Sequence, residues 1–575
     1  MKKLILPILF MIGFVFCSAQ DVESVIQNTK NRLKSNPFTA TGMINLGGNM
    51  VYTSLQTNRA YPFSARAQAS LNLNFLGVNA PFSLTYGSGG QAFNYTLPSY
   101  AFVGLSPSYR WAKLHIGDRS LPLGKYTFSG QSFRGIGVEL HPGNWEFSSF
   151  YGNIRRATAQ DYNSINKIES RFKRNGLGAK TGYKNSKSSL FFSFLNAADH
   201  TDATYLQDTT GNISPAENLV LSIEGSQKLS KVISFNLAVA RSAYSYDKNV
   251  EESNQKGILN TFGGVFKPNV STTWGNAVLG EFLFKTSYGQ LSFGYEKVDP
   301  GFKTMGSLFF RNDLENVNAG ITAFMLKKRW MINSKLGIQR NNLNGDKNKE
   351  FNRVVLLINS SFKLNDKIDF NLQYNTFNNV NRTTTLESIS NPLTTNSLVF
   401  VNEQLNAGAN YMLESTASAN TFLQLQLGSS TGSSIYNDQV QQDEVSTMQF
   451  NLFGQRTLLA DQSNYGGNIS YISNSIGPTH IGSISVGGNW GKPIKKDKTG
   501  VQVFFGGGIN QQVDANFNTK SSFINGSFNF YHQIQKDIKL SLNSTYYKGF
   551  GEEAVSAFYE SRTMLNISYT LKPKA

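Results

Sequence analysis

One short segment of the chain has the spacing of a nucleophilic serine. Gly428–Gly432 matches G-x-S-x-G, in which a strand turns sharply into a helix and presents a serine hydroxyl above a sheet. Leu423, Leu425 and Leu427 alternate with glutamines just before it and predict a strand, but a Ser/Gly-rich stretch follows instead of a helix. Because the turn that exposes the serine needs that helix, we interpret the match as a strand running into a loop.

Histidine is the other residue type that could do chemistry here. The five histidines stand singly, without the spacing of a metal site, and neither a dinucleotide-binding glycine motif nor a P-loop is present. His115 and His480 fall on predicted strands and could in principle serve a hydrolase at an outer rim, but a place on the surface or lumen wall is the simpler interpretation. We therefore expect no catalytic, cofactor-binding or metal-binding residues, no enzyme activity and no cofactor. The histidines are His115, His141, His200, His480 and His532.

Composition indicates an ordered protein with much apolar surface to place. The 575 residues carry a formal net charge of +17, and only 16% are charged while 13% are aromatic. A charged fraction well below the usual ~25% excludes a disordered chain and a coiled coil. The one cysteine, Cys17, lies in the N-terminal segment, so disulfides and thiol chemistry are not expected.

The N-terminal residues have the pattern of a secretory signal. Lys2 and Lys3 precede an apolar core and a small-residue site, which predicts a cleaved signal peptide over residues 1–19. The alternative, a lipoprotein signal acylated at Cys17, is disfavoured by the bulky Phe16. Residues 20–42 then form a short periplasmic segment, in which Asp21–Pro37 is either an amphipathic helix that acts as a stopper or a mobile tail.

Alternation with a period of two runs through the rest of the chain. Ile368, Phe370 and Leu372 alternate with polar residues, and similar segments recur over residues 43–571. No later apolar run approaches the 18 or more residues that a membrane helix needs. Since every backbone group must pair inside a bilayer, the pattern predicts an all-β protein: a single transmembrane antiparallel β-barrel with apolar residues towards lipid.

The predicted turns give the strand number. Twelve short polar turns alternate with longer connections, which predicts 26 strands, with 24 to 26 allowed because segment 257–268 could be loop or strand. Such barrels have short periplasmic turns and long outer loops, so both termini, including the tail 572–575, are expected in the periplasm. The predicted turns lie near residues 77–79, 106–108, 141–144, 184–187, 228–231, 286–289, 327–330, 365–367, 414–419, 458–462, 491–498 and 535–537.

Charge and loop content indicate how such a barrel is used. Lysines concentrate in short turns, as in Lys327 and Lys328, where they keep the hairpin ends in water or contact acidic lipid head groups or a protein partner. They do not form the basic patch with interleaved aromatics that nucleic acid needs, so outer-membrane lipid, and a periplasmic or outer-membrane protein, are the expected partners.

Asp208-Thr209-Thr210, in a predicted outer loop, could accept an O-linked sugar.

Twenty-six strands enclose a ring roughly 50 Å across, which must be filled or flattened. The segment before the first strand is too short for a folded plug domain, so outer loops, the N-terminal helix or another protein must close it. Among the candidate loops we expect 119–132, rich in Gly and aromatics, and 245–275, the longest, to fold inward. The other candidates are 156–175, 198–216 and 378–397.

Several stretches resemble large outer-membrane β-barrels of the Bacteroidetes. The resemblance lies in Phe102–Ala112, Gly135–Leu140, Tyr151-Gly152, and Val298–Phe302 with Phe310–Asp313, and in the Ser-Ala-Gln signal ending. It implies an outer-membrane location in a Gram-negative cell, and its motifs carry no catalytic residues. The last strand departs from the usual assembly signal, because Lys572–Ala575 follows Leu571 in place of a terminal aromatic.

Two functions remain open at this level. The first is a transport or translocation conduit, gated by its own loops, for a bulky solute or polymer. The second is a non-catalytic barrel that serves as a scaffold in a multi-protein outer-membrane assembly or secretion machine. The lumen-facing Asn, Gln and Ser suit both, and a steady open current would favour the conduit.

Overall fold

The strands close into one antiparallel barrel of 26 strands, which confirms the predicted fold class and strand number. The computed structural model describes residues 38–54, 62–88, 90–92, 95–97, 100–157, 171–201, 213–251, 266–308, 310–346, 352–381, 398–436, 439–440, 445–495, 498–514, 517–551 and 557–572. The barrel strands are β1 (Phe38–Thr53), β2 (Phe63–Phe75), β3 (Val78–Gly87), β4 (Tyr100–Leu105), β5 (Ala112–Arg119), β6 (Phe133–Leu140), β7 (Trp145–Arg155), β8 (Lys173–Lys184), β9 (Ser188–His200), β10 (Glu217–Lys228), β11 (Ile233–Ser245), β12 (Thr272–Thr286), β13 (Gly289–Val298), β14 (Leu314–Met325), β15 (Trp330–Arg340), β16 (Asn352–Lys363), β17 (Ile368–Asn381), β18 (Leu398–Ser415), β19 (Ala419–Tyr436), β20 (Val445–Leu458), β21 (Asn464–Ile476), β22 (Thr479–Lys495), β23 (Thr499–Val513), β24 (Asn518–Gln535), β25 (Ile538–Phe550) and β26 (Tyr559–Leu571).

Pairing between the first and last strands closes the ring. β1 pairs with β2 on one side and with β26 on the other, so that Met43 lies opposite both Ser70 and Thr570. Closure leaves no barrel edge with unpaired backbone groups, as a strand protein in a bilayer requires. Short extra pairings decorate the ring: Ser108–Tyr109 pairs with β3 and β5, Gln439–Val440 pairs with β19, and Gly90–Ala92 pairs with Tyr95–Leu97 outside the barrel sheet.

The two faces of the strands differ as the alternation predicts. On β11, Leu237 and Val239 point outward and are 41% exposed, whereas their neighbours Ala238 and Ala240 are buried towards the lumen. The same parity continues through the paired registers, so that Phe370 and Leu372 of β17 also lie on the outer face. The outer face is therefore a broad apolar surface. Within the described residues no helix is long and apolar enough to cross a membrane.

All twelve predicted short turns connect strands at one end of the barrel, which we call the short-turn end. The first joins β2 to β3 through Leu76 and Gly77, with φ angles of 51° and 87°. Positive φ at both central residues gives the backbone twist that fits two-residue hairpins. Leu326, Lys327 and Lys328 also have positive φ, and they join β14 to β15. The tight hairpins fix the register of each pair.

Two predicted boundaries are wrong. The first strand begins at Phe38 and not at residue 43, because Phe38 to Gly42 pair with the end of β2. The alternation over these five residues is too short to predict a strand by itself. Gly428–Gly432 does not run into a loop but lies inside β19, which continues to Tyr436 because β18 and β20 pair with it on both sides.

Several sequence predictions lie outside the described residues. They are the signal peptide 1–19, the segment Asp21–Pro37, the Asp208–Thr210 site and the last three residues of the tail. Of the ambiguous segment 257–268, residues 266–268 are described and are not strand.

Candidate functional site

The connection between β5 and β6 folds into the lumen and packs against the barrel wall. We call residues 120–132 the first plug segment. Leu123, Tyr126 and Phe128 on it are at most 1% exposed, and they belong to one apolar cluster with lumen-facing residues of β6 to β14. The Phe128 ring lies 4.4 Å from the Phe150 ring on β7. The inward fold expected for 119–132 is therefore present, and glycines and aromatics are the residues that make it.

A second inward connection joins β13 to β14. We call residues 299–308 and 310–313 the second plug segment. Phe302 is fully buried in the same cluster, and its ring lies 5.9 Å from that of Tyr126. The segment runs very close to the wall, since a Cβ at Gly275 of β12 would lie 2.1 Å from the Phe302 nitrogen. This connection was not among the loops expected to fold inward, although its Pro-Gly-Phe stretch and glycines have the same character as the first plug segment.

Backbone contacts join the two segments into one plug. The Ser129 N–H donates to the Gly306 carbonyl at 2.9 Å, and the Thr304 hydroxyl donates to the Thr127 carbonyl at 3.0 Å. A Cβ at Gly306 would lie 1.9 Å from the Thr127 oxygen, so only glycine fits this crossing. The two segments therefore move as one unit unless the contacts at this crossing break.

Asn218 of β10 fastens the second plug segment to the wall. Its side chain is fully buried, and its Oδ1 accepts from the Met305 N–H at 2.9 Å. Its Nδ2 donates to the carbonyls of Lys303 at 3.1 Å and Ala243 at 2.9 Å. The Ser242 hydroxyl donates to the same Lys303 carbonyl. Buried polar groups need such partners, so Asn218 is one of the wall residues that hold the segment, together with Asn276, which donates to Asp299 Oδ2 at 2.9 and 3.0 Å.

Two lumen-facing carboxylates hold the first plug segment. Glu224 of β10 accepts from the Lys125 N–H at 2.8 Å, and Glu296 of β13 accepts from the Lys125 Nζ at 2.6 Å and the Tyr126 hydroxyl at 2.9 Å. Burial raises the pKa of the Tyr126 phenol above its ordinary value, and the charge of Glu296 raises it further. The phenol therefore keeps its proton and remains a donor to Glu296.

Replacing Gly306 by alanine should detach the segments from each other. The added Cβ meets a backbone carbonyl that no side-chain rotation can move, so the crossing must open. In a chain carrying Leu123→Cys as a reporter, we expect Gly306→Ala to raise the rate of maleimide labelling about tenfold or more. This corresponds to a closed plug that is less stable, relative to the open one, by roughly 1.4 kcal/mol or more. Gly482→Ala is the matched control, because a Cβ there meets nothing within 4 Å. Equal labelling rates in the two variants would show that the crossing does not hold the plug.

The connection 245–275, which we expected to fold inward, is only partly described. Lys248 Nζ donates to the Asp199 carbonyl, which lies at the rim end of β9. Phe266 is buried with Leu219 and Ala243. Residues 252–265 lie outside the described part. By the paired register, Leu219 of β10 and Ala243 of β11 share the outward parity of Leu237 and Val239, so Phe266 packs on the outer face of the wall. The inward fold expected for 245–275 is therefore not found at this residue.

The wall away from the plug is polar, and the described residues leave it uncovered. The apolar cluster of the plug involves β6 to β14 only. On β17 and β19 the lumen-facing side chains include Asn371, Gln373, Gln424 and Gln426, all of them exposed. The described part of the plug therefore covers one side of the lumen and leaves the opposite wall uncovered.

The histidines considered for catalysis lie apart from the plug. His115 is 3% exposed; its Nδ1 lies 3.1 Å from the Ser106 hydroxyl and its Nε2 lies 2.5 Å from Glu139 Oε1, which also accepts from Lys113 at 2.9 Å. The order serine, histidine, carboxylate is that of a catalytic triad, but Ser106 is 4% exposed, so a substrate carbonyl cannot reach it. The cluster instead ties β5 to β6 and to the turn before β5.

The other candidate residues do not assemble into a site. His480 lies on the outer face, where its Nδ1 is 2.7 Å from the Ser475 hydroxyl. Within the described ranges this histidine has no acidic hydrogen-bond partner. Ser430 lies within β19 and is paired across both neighbouring strands. Over the part of the chain that the structure describes, no group of three or more His, Cys, Asp or Glu could hold a metal ion.

No family model matches the chain, and no curated protein matches it. Similar solved structures include the P pilus usher (PapC) translocation pore, with 11% identity and a TM-score of 0.34 over 92% of this chain and 100% of that chain. The FrpB iron transporter from Neisseria meningitidis has 8% identity and a TM-score of 0.36 over 92% and 81%. Pseudomonas aeruginosa OccK2 (OpdF) in complex with glucuronate has 10% identity and a TM-score of 0.34 over 75% and 97%. The class of this protein is thus defined by its own geometry: a closed 26-stranded barrel with an internal two-segment plug.

Proposed function

We propose that the protein is an integral outer-membrane conduit whose own connections gate the passage of a bulky solute or polymer. The observation that carries this is the position of the plug. Two connections of the barrel, joined through Gly306, cover one side of a very wide lumen, and the opposite wall is polar. A plug made of connections and held by a few hydrogen bonds can move without unfolding any barrel strand.

The outer face supports the membrane location. Leu237, Val239, Phe370 and Leu372 belong to an outward apolar surface that needs lipid around it. The short-turn end would face the periplasm, as is usual for barrels with short turns at one end and longer loops at the other. Both termini would then be periplasmic, and the lysines of the short turns would lie near lipid head groups.

The width of the ring supports a bulky cargo. A circular ring of 26 strands is roughly 50 Å across, far more than a small solute requires. The plug narrows this space from one side, and its displacement would open a larger path. A conduit of this kind needs no catalytic group and no cofactor.

Flux through the purified barrel tests the proposal. In proteoliposomes, we expect the wild-type protein to pass small sugars and a plug-displaced variant such as Gly306→Ala to pass larger oligosaccharides as well. Liposomes with heat-unfolded protein are the control for leakage. If neither barrel passes any solute, the conduit function is wrong, and stoichiometric proteins that remain bound after gentle detergent extraction would identify the barrel as a scaffold instead.

A further inference from the structure

The lumen wall opposite the plug contains a recess that is not lined by residues of either plug segment. It has a volume of about 220 Å³ and is formed by the paired strands β23, β24, β25 and β26. Two adjacent rows of lumen-facing side chains supply it. One row contains Phe504, Thr545 and Arg562, and the other contains Asn525, Tyr547 and Glu560. The plug packs on β6 to β14, on the other side of the ring.

Aromatic rings form an apolar surface in the recess. The Phe504 ring lies across two glycines, since a Cβ at Gly487 would lie 2.6 Å from its Cε2 and a Cβ at Gly506 would lie 2.9 Å from its Cζ. The Tyr547 ring stacks on that of Phe523 at 5.7 Å, with 21° between the planes. A wall with side chains at positions 487 and 506 would have pushed the Phe504 ring away. The two glycines therefore leave the space that this ring occupies at the edge of the recess.

Polar groups stand beside these rings. Arg562 Nε donates to Glu560 Oε1 at 2.6 Å, so the two charges cancel locally. Glu560 Oε2 is buried and accepts no hydrogen bond from any residue that the structure describes. An acceptor left without a partner in a buried position is costly, and a small rotation of the carboxylate towards the recess would let a ligand hydroxyl satisfy it. The Arg562 side chain is half-exposed and lies at the same recess, together with the side chains of Asn525 and Thr545.

We propose that this recess binds a neutral hexopyranose unit of an oligosaccharide. A pyranose ring presents a face of C–H groups, which suits the Phe504 ring, and a rim of hydroxyls, which suits Glu560, Arg562 and Asn525. The Tyr547 ring already lies against Phe523 and Phe558 and closes the side of the recess. The cancelled charge of the Arg562–Glu560 pair disfavours an acidic sugar, whose carboxylate would meet Glu560. Because the recess lies in the lumen, the inference rests on the proposed conduit function and names the class of its cargo.

Equilibrium binding to the purified barrel in detergent tests this without requiring flux. With maltohexaose as the probe, we expect saturable binding in calorimetry and saturation-transfer NMR signals on the sugar C–H groups. Glu560→Gln and Phe504→Ala should each weaken binding about tenfold. Phe505→Ala is the matched control, because Phe505 is the outward-facing neighbour and is 65% exposed. Gly487→Ala should also weaken binding, since its methyl group displaces the Phe504 ring.

The outcomes separate this inference from the conduit function. Absence of maltohexaose binding, or equal loss in Phe504→Ala and Phe505→Ala, overturns the binding site even if the liposomes pass sugars. Tighter binding of an oligogalacturonate than of maltohexaose overturns the assignment to a neutral sugar. Binding that depends on Glu560 and Phe504 supports the site, and if the same protein passes no solute, only the conduit function fails.

Discussion

Cells that carry the barrel with residues 121–130 replaced by a short Gly-Ser linker should become sensitive to large hydrophilic antibiotics such as vancomycin. The replacement removes Leu123, Tyr126 and Phe128, which supply much of the buried apolar surface of the plug. The second plug segment loses the Tyr126 ring against Phe302 and the hydrogen bond from Ser129 to Gly306. With the first segment removed and the second held by its wall contacts alone, the lumen widens towards the full ring, roughly 50 Å across if circular. The measurement is the minimal inhibitory concentration, which we expect to fall several-fold.

The control is a similar replacement at a connection away from the plug. Asp514–Phe517, between β23 and β24, is short and belongs to the opposite wall. The same linker there should leave the inhibitory concentration unchanged at equal surface abundance. If the two replacements have the same effect, or if the plug replacement has none, then the first plug segment does not restrict the lumen.

Asn218→Leu should release the second plug segment while leaving the barrel intact. Leucine fills a similar volume but offers no hydrogen bonds, so the Met305 N–H loses its partner, and the Lys303 carbonyl keeps only the bond from Ser242. Each buried group left unpaired costs about 1–3 kcal/mol, and each 1.4 kcal/mol raises the open population roughly tenfold. With Leu123→Cys as the reporter, maleimide labelling should accelerate by about one to two orders of magnitude.

Asn72→Leu provides the matched comparison. Asn72 also faces the lumen, on β2, but it is exposed, and the plug cluster lies on β6 to β14. It should leave the labelling rate unchanged. Both variants should keep the heat-modifiable gel mobility of a folded barrel. Equal labelling in Asn218→Leu and the wild-type barrel would mean that the segment is held by contacts other than Asn218.

The barrel could be predicted from the sequence because its signals are local. Alternation such as that of Ile368, Phe370 and Leu372 assigns each residue to a face, and each polar turn ends a hairpin, so the strand number follows from counting. The short alternation at Phe38 to Gly42 failed this test, because it is recognisable only through its pairing with β2.

The plug was half predictable for a related reason. The Gly and aromatic content of 119–132 indicated an apolar connection that has to be buried. Pro300-Gly301-Phe302 has the same character, but in the sequence it contributes only to the resemblance to other barrels. The sequence does not indicate which connections reach the lumen wall. Asn218 gave no signal at all, since its place in β10 looks like that of many lumen-facing asparagines.

The recess on β23 to β26 could not be predicted. Phe504, Thr545 and Arg562 are distant in the sequence, and they become neighbours only through the registers of three strand pairs. Gly487 and Gly506 leave room for the Phe504 ring, but in the sequence they indicate only positions that destabilise a strand.

The central claim is that the plug, and not the barrel wall, limits passage, and a reversible tether tests it most directly. Leu123→Cys and Gly178→Cys place one cysteine on each side of a close contact, since a Cβ at 178 would lie 2.5 Å from Leu123 Cδ1 and 2.6 Å from the Phe150 ring. In planar bilayers, single barrels carrying this pair together with Asn218→Leu should show the same current as the wild-type barrel when oxidised. They should switch to a larger, steady current when a reductant is added to the same membrane. A current that is the same before and after reduction, with the disulfide shown to form, would contradict the account.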